Sequence, residues 1–204
     1  MIARVEGVVR EVAPTRAVID VGGVGYELHI PLSTFSELPD VGKTTALHVH
    51  THARDGAIQL FGFATTSERA AFQLLLRASR VGPRLAQTIV SGISPAELLD
   101  AIRNGRVAVL RAAPGVGTKL AERILVELRD RAPELEAALR TEDPGVVVGG
   151  LDESGALADQ TLSALLNLGY SKSQAERARA RALAEVGEDA TLETVLRTAL
   201  RALL

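Results

Sequence analysis

The stretch Val81-Gly-Pro-Arg-Leu-Ala-Gln-Thr-Ile89 recurs thirty-five residues later as Val116-Gly-Thr-Lys-Leu-Ala-Glu-Arg-Ile124. The shared pattern is Val-Gly-x-(Arg/Lys)-Leu-Ala-x-x-Ile; upstream, Leu75 lines up with Leu110 and Ala78 with Ala113. In each copy the glycine allows a tight reversal between two helices. The second helix of each pair then opens with backbone N–H groups that have no partner in the helix, and with the positive end of its dipole facing outward. A phosphate suits that position, with Arg84 or Lys119 as a charged flank two positions past the glycine.

Such a unit is a helix-hairpin-helix, which holds nucleic-acid backbone without reading bases. Leu85, Ala86 and Ile89 would pack one pair, and Leu120, Ala121 and Ile124 the other. One Gly-x-Lys at a helix start would be an ordinary turn between helices. Two in register, each with a basic flank, point to phosphate. A solenoid of 33–35-residue repeats is the weaker alternative, because about three copies are usually needed and only two are present.

Upstream of the repeat, residues 1–63 read as β. Ile2, Val5, Val8 and Val9 open an apolar run, Ala17-Val-Ile-Asp-Val21 follows, and Gly22-Gly-Val-Gly25 forms a turn cluster. Tyr26, Leu28 and Ile30 then alternate with Glu27 and His29 until Pro31, and Leu47 and Val49 alternate with His48, His50 and His52. After a hairpin turn at Arg54-Asp-Gly56, a last strand runs through Ile58, Leu60 and Phe61 to Phe63. Five short strands in about sixty residues fit a small barrel of OB type, since a flat sheet would leave its edges open.

From Thr65 the period becomes helical. Thr66 or Ser67 can cap a helix carrying Phe72, Leu75 and Leu76, and Ser94-Pro95 is a second strong helix start. Helices continue to about Leu139. Thr141 to Gly155 is rich in Gly, Pro and acids and reads as a flexible linker, 141–156. Residues 157–204 regain helical spacing as three short helices, with turns at Leu168-Gly-Tyr170 and Gly187-Glu188. The expected organisation is therefore α+β and multidomain: an OB-like barrel over 1–63, a tandem helix-hairpin-helix domain over 64–140, the linker, and a three-helix domain over 157–204.

Composition narrows the chemistry. The 204 residues contain no cysteine, which excludes a disulfide framework, a thiolate metal site and a cysteine nucleophile. The 47% hydrophobic content supports real cores, although aromatic residues are only 3%, so Val, Leu, Ile and Ala must build them. No apolar run of membrane-spanning length and no signal peptide are evident, so a cytoplasmic location is expected. Charge is uneven. Residues 1–63 hold five Lys/Arg against seven Asp/Glu, residues 64–140 twelve against eight, and residues 141–204 six against ten. The basic middle is where a polyanion would be held.

Together these stretches resemble the RuvA family of Holliday junction branch-migration proteins. The resemblance rests on Met1-Ile2, Gly22-Gly-Val-Gly-Tyr-Glu27, Leu60-Phe-Gly-Phe63, Val81-Gly-Pro83, Pro114-Gly-Val-Gly117, Ala121-Glu-Arg123 and Leu168-Gly-Tyr170, and covers nearly the whole chain. It implies a non-catalytic homotetramer, or an octamer of two tetramers, that binds a four-way DNA junction in recombination and repair of damaged DNA. It needs no cofactor, since a partner ATPase ring, RuvB, supplies ATP hydrolysis, and the RuvC resolvase would join a larger complex.

By the same resemblance the DNA-binding residues are Gly82, Pro83, Arg84, Gly115, Gly117, Thr118, Lys119 and Arg123; Arg80, which departs from the family pattern, is added to them as an extra phosphate contact. Asp55 is the acidic pin at the junction centre, and Leu168, Gly169 and Tyr170 are the turn that contacts the motor. The chain departs from the family pattern twice. The pin usually has two adjacent acids, but here Asp55 is followed by Gly56, which leaves four carboxylates per tetramer rather than eight. Arg80 stands where the family usually has glycine, and an arginine there calls for an ordinary φ.

Other chemistry is weaker. Val41-Gly-Lys-Thr-Thr45 is similar to the end of a Walker A loop, but Glu37 replaces the required glycine and the following residues alternate like a strand. His48, His50 and His52 share a strand face that could hold a metal, although an exterior barrel position explains them equally. A nuclease or glycosylase also uses helix-hairpin-helix units, yet Lys119 is the only lysine near them and no acidic cluster stands by. Leu165 suits the core of the tail, and the Gly169-Tyr170 turn suits a contact.

Overall fold

The computed structural model describes residues 1–54, 56–142, 158, 161–162, 164–166, 170–186 and 192–203. They fall into two compact units, Met1–Gly145 and Val146–Leu204.

The first unit begins with a closed five-stranded barrel, β1 (Arg4–Ala13), β2 (Arg16–Val21), β3 (Val24–His29), β4 (Thr44–Arg54) and β5 (Ala57–Phe63), in the order β1-β2-β3-β5-β4. All neighbours are antiparallel except β3 and β5. Closure depends on β1. Its first half pairs with β4 from Arg4 to Val8, and it pairs with β2 from Val8 to Ala13 with a register shift between Val9 and Glu11. Gly7 lies near this crossing, where a Cβ would meet the Asp20 carbonyl oxygen at 2.1 Å, so only glycine lets β1 and β2 approach. Alternate residues fill the interior: Val5 and Val9, Ala17 and Ile19, Leu28 and Ile30, Leu47 and Val49.

A short helix not foreseen after Pro31, α1 (Leu32–Glu37), packs Phe35 against the barrel core. The helical half follows as α2 (Thr66–Leu75), α3 (Pro83–Gly92), α4 (Pro95–Asn104), α5 (Val107–Arg111), α6 (Thr118–Leu128), a 3-10 turn (Arg129–Arg131) and α7 (Ala132–Glu142). The cap of α2 is Thr65, not Thr66 or Ser67; its hydroxyl accepts from the Glu68 N–H at 3.1 Å. Ser94 forms the foreseen cap of α4, with Glu97 reaching back to the Ser94 N–H. Those hydrogen bonds from Ser94 hold the Glu97 carboxyl below its ordinary range. Helix α7 runs to Glu142, past the expected end at Leu139, so the first two residues assigned to a linker are helical; 143–156 lie outside the described residues.

Phe61 and Phe63 leave the barrel's interior pattern and join the helical core. On the outer face of β5 they stack and tilt against Phe72 of α2, with ring centroids 4.9 and 5.0 Å apart. Burying one such ring contributes roughly 2–3 kcal/mol, so the barrel and helices share a core. Polar contacts stitch the same boundary. The buried Glu68 carboxylate accepts from Thr34 Oγ1 at 2.8 Å and from the Ala64 N–H at 3.1 Å. Gln87 donates to the Ile30 carbonyl, and the Leu32 N–H donates to Ser91 Oγ. The last two bonds fix α3 against the barrel.

The second unit contains α8 (Lys172–Glu185), α9 (Leu192–Arg201) and helical residues at 158, 161–162 and 164–166. Ala175, Ala178 and Ala182 form a thin stripe on α8 that packs with Leu165, Val195 and Ala199. Leu165 is fully buried, and Tyr170 packs half-buried against this cluster.

Candidate nucleic-acid interface

The repeat in sequence is a duplicate in three dimensions. Equivalent positions are buried alike: Ala78 and Ala113 are each 4% exposed, Val81 and Val116 each 6%, and Leu75, Leu110, Ile89 and Ile124 are fully enclosed. The turns match as well. Val81 N–H donates to the Ala78 carbonyl at 3.2 Å, and Val116 N–H to the Ala113 carbonyl at 3.1 Å.

Both turns need one residue in the left-handed region. Gly115 takes it at φ 85°, and Arg80 takes it at φ 67°. The expectation of an ordinary φ at Arg80 is therefore wrong. The hairpin closes the same way in both copies, and the hydrogen bond at Val81 imposes the conformation on whatever residue precedes it.

The caps of α3 and α6 are Gly82 and Gly117, with φ −91° and −82° and no side-chain hydrogen bond to the amides behind them. Any residue could adopt these angles, and a Cβ at either glycine would find nothing within 4 Å. The fold does not require glycine here. Its effect is to leave the helix starts uncovered, so that an outside group can approach the first-turn amides. Pro83 has no N–H to offer, whereas Thr118 provides both an amide and a hydroxyl.

The same surface is cationic. Elsewhere in this unit many arginines and lysines are held by carboxylates, among them Arg10 by Asp20, Arg16 by Glu27, Lys43 by Asp40, Arg103 by Glu136 and Arg106 by Asp100, whereas Arg69, Arg111 and Arg129 form no ion pair among the described residues. Arg80, Arg84, Lys119 and Arg123 are exposed and make no ion pair among the described residues. Leaving four cations unneutralised around two sets of bare amides creates a field suited to phosphate.

Two concavities receive these groups. One, of about 490 Å³, is lined by Arg80, Gly117, Thr118, Lys119, Leu120 and Arg123. The other, of about 580 Å³, brings Gly82, Pro83 and Arg84 beside His52, Arg54 and Gln59 of the barrel. No carboxylate lines either one among the described residues. Sequence reading missed the barrel's contribution, because His52, Arg54 and Gln59 lie more than twenty positions from the repeat and no local pattern links them to it.

Of the remaining candidates, Asp55, Leu168 and Gly169 lie outside the described residues. Beside Asp55, β4 and β5 pair out to Arg54 and Ala57, and Gly56 has φ 79°. The histidine stripe lies on the barrel exterior, roofed by α2. His50 meets Phe72 edge-on at 5.4 Å and contacts Gln73 Nε2 through Nδ1 at 3.3 Å. Among the described residues no three His, Asp or Glu are grouped to hold a metal, and no helix is long and apolar enough to cross a membrane.

Comparison with known proteins agrees with the architecture. Residues 1–62 match the RuvA N-terminal domain, 72–130 a SAM-like helix-hairpin-helix tandem, and 156–204 the RuvA C-terminal domain. Curated relatives carry the name Holliday junction branch migration complex subunit RuvA. One from Geobacter metallireducens is 41% identical over 204 residues, and one from Pelobacter propionicus is 43% identical over 205. In both cases all of this chain and all of the relative are covered. A third, from Syntrophobacter fumaroxidans, is 43% identical over 203 residues with the same full coverage.

Proposed function

This chain belongs to the RuvA family, and on that premise we propose that it is the junction-binding subunit of a branch-migration complex. It binds four-way DNA junctions by their sugar–phosphate backbone, structure-selectively and without sequence preference, and holds the arms open. Arg80, Gly82, Pro83, Arg84, Gly115, Gly117, Thr118, Lys119 and Arg123 make the interface. The observation that carries this reading is the duplicated pair of uncapped helix starts, each beside unneutralised cations and, among the described residues, free of carboxylates.

Backbone binding by cations and amides releases counterions from DNA, so affinity falls steeply with salt but hardly changes with sequence. Four copies around the crossover would present four Asp55 carboxylates to the exchanging strands. These repel phosphates and penalise a continuous duplex. The subunit hydrolyses no ATP; the RuvB ring does so, recruited through the second unit and its Leu168-Gly-Tyr170 turn, and RuvC resolves the product.

The decisive experiment measures binding of a four-way junction and of linear duplex at several salt concentrations, with and without Mg²⁺. Junction preference, a steep salt slope, and a similar loss on all junction sequences for Arg84→Ala and Lys119→Ala are expected. Equal affinity for duplex, or cleavage of the junction with Mg²⁺, overturns the proposal.

A further inference from the structure

Arg80 stands in the turn of the first hairpin, four residues before Arg84, yet the two side chains line different concavities. Arg84 lines the one at the start of its own helix, α3, while Arg80 lines the one at the start of α6 with Lys119 and Arg123. We propose that Arg80 is a phosphate ligand of the second hairpin's seat, so that one DNA phosphodiester is held jointly by both hairpins. This rests on the reading of the hairpins as backbone-binding elements and assigns Arg80 to one of the two seats.

Two contacts anchor the first turn against the second hairpin. The Ser79 N–H donates to Glu127 Oε2 of α6 at 2.7 Å, which ties the residue before Arg80 to the helix whose start it faces. Nearby, a Cβ on Gly115 would lie 3.3 Å from Leu85 Cδ1, so the turn of the second hairpin is packed against the first. Glu127 accepts the Ser79 bond on one oxygen and forms no ion pair with Arg123 among the described residues. Three guanidinium or ammonium groups therefore converge on one opening from two separate chain segments, and none is paired among the described residues. Like charges so arranged repel until an anion enters. A guanidinium suits a phosphate best, because its planar donors can engage two oxygens at once.

The arrangement is not reciprocal. At the position equivalent to Arg80 the second hairpin has Gly115, which contributes no cation to the first seat. That seat draws on the barrel instead, and Pro83 removes one amide from it. The second seat is therefore the stronger of the two, with Arg80 as its extra ligand.

Fluorescence anisotropy of the full-length protein with a four-way junction tests the assignment. Arg80→Ala and Arg80→Gly should each weaken binding roughly tenfold and lower the log–log salt slope by about one, and Arg80→Lys should keep the slope. Glycine adopts the left-handed conformation freely, so Arg80→Gly carries the test even if Arg80→Ala folds poorly. Losses from Arg80→Gly and Arg84→Ala should add, while Arg80→Gly and Lys119→Ala should be non-additive because they share one phosphate. An unchanged slope in Arg80→Gly, or an additive Arg80–Lys119 pair, overturns the inference. If Arg84→Ala and Lys119→Ala themselves leave binding intact, the reading of the hairpins fails instead.

Discussion

Arg80 and Gly115 hold the same left-handed backbone conformation at equivalent points of the two hairpin turns, with φ 67° and 85°. For the arginine this conformation costs roughly 1–2 kcal/mol, because Cβ crowds the following carbonyl. Part of that is offset by the smaller entropy an arginine loses on folding compared with glycine. Arg80→Gly should thus raise unfolding stability by roughly 0.5–1 kcal/mol. Gly115→Ala should lower it by about 1–2 kcal/mol, since the new methyl would also press on Leu85. Urea unfolding of the two variants checks both; a neutral Gly115→Ala would contradict the account of the turn.

Gly82 and Gly117 should behave in the opposite way. Their extended φ and open surroundings let alanine in at a cost below about 1 kcal/mol, mostly the poorer capping of alanine. The methyl group would fill the open surface through which an outside phosphate approaches, so junction affinity should fall roughly tenfold at unchanged fold. Circular dichroism melting alongside junction titration separates the two effects, and full affinity in the double variant would remove the reason for glycine at these caps.

Glu68 is a structural carboxylate. Its removal leaves the Thr34 hydroxyl without its acceptor and the Ala64 N–H with Thr34 Oγ1 alone at the barrel–helix boundary, and Glu68→Ala should cost about 1–3 kcal/mol. In a double-mutant cycle, Thr34→Val and Glu68→Ala should be coupled by more than about 0.5 kcal/mol. Additive losses would show that the pair does not act as a unit.

His50 makes stability depend on pH. Burial, then the positive fields of His52 and Arg69, holds its imidazole below the ordinary value of 6.5. The unfolded chain therefore takes up this proton at higher pH than the folded one. Its contribution to stability is complete above 6.5 and is lost as pH falls from there through the lowered value. Between about pH 7.5 and about pH 5.5 the urea midpoint of the protein should drop more than that of His50→Gln. Parallel curves for the two would place the titrating group elsewhere.

On the proposed arrangement of four subunits around the crossover, Asp55→Asn would remove four like charges at once and should let linear duplex compete better against the junction. The ratio of junction to duplex affinity measures this directly. A ratio that stays the same would dismiss the single acid as a pin.

The duplicated Val-Gly-x-(Arg/Lys)-Leu-Ala-x-x-Ile stretch, the five alternating strands and the Ser94-Pro95 helix start were legible along the chain, because each is set by neighbours within a few residues. Period, capping and turn chemistry act at that range, and so the hairpins and the barrel could be placed by inspection. Phe61 and Phe63 were readable as a strand end but not as members of the helical core, since that depends on which face of β5 the closed barrel turns outward. The conformation of Arg80, its place in the opposite seat, and the approach of His52, Arg54 and Gln59 to Gly82 were decided only by tertiary structure. Residue spacing encodes which way a side chain faces on its own helix or strand. The neighbour it meets across a turn or barrel wall depends on how distant segments pack, and in this protein the Ser79–Glu127 and Gln87–Ile30 hydrogen bonds hold those segments together.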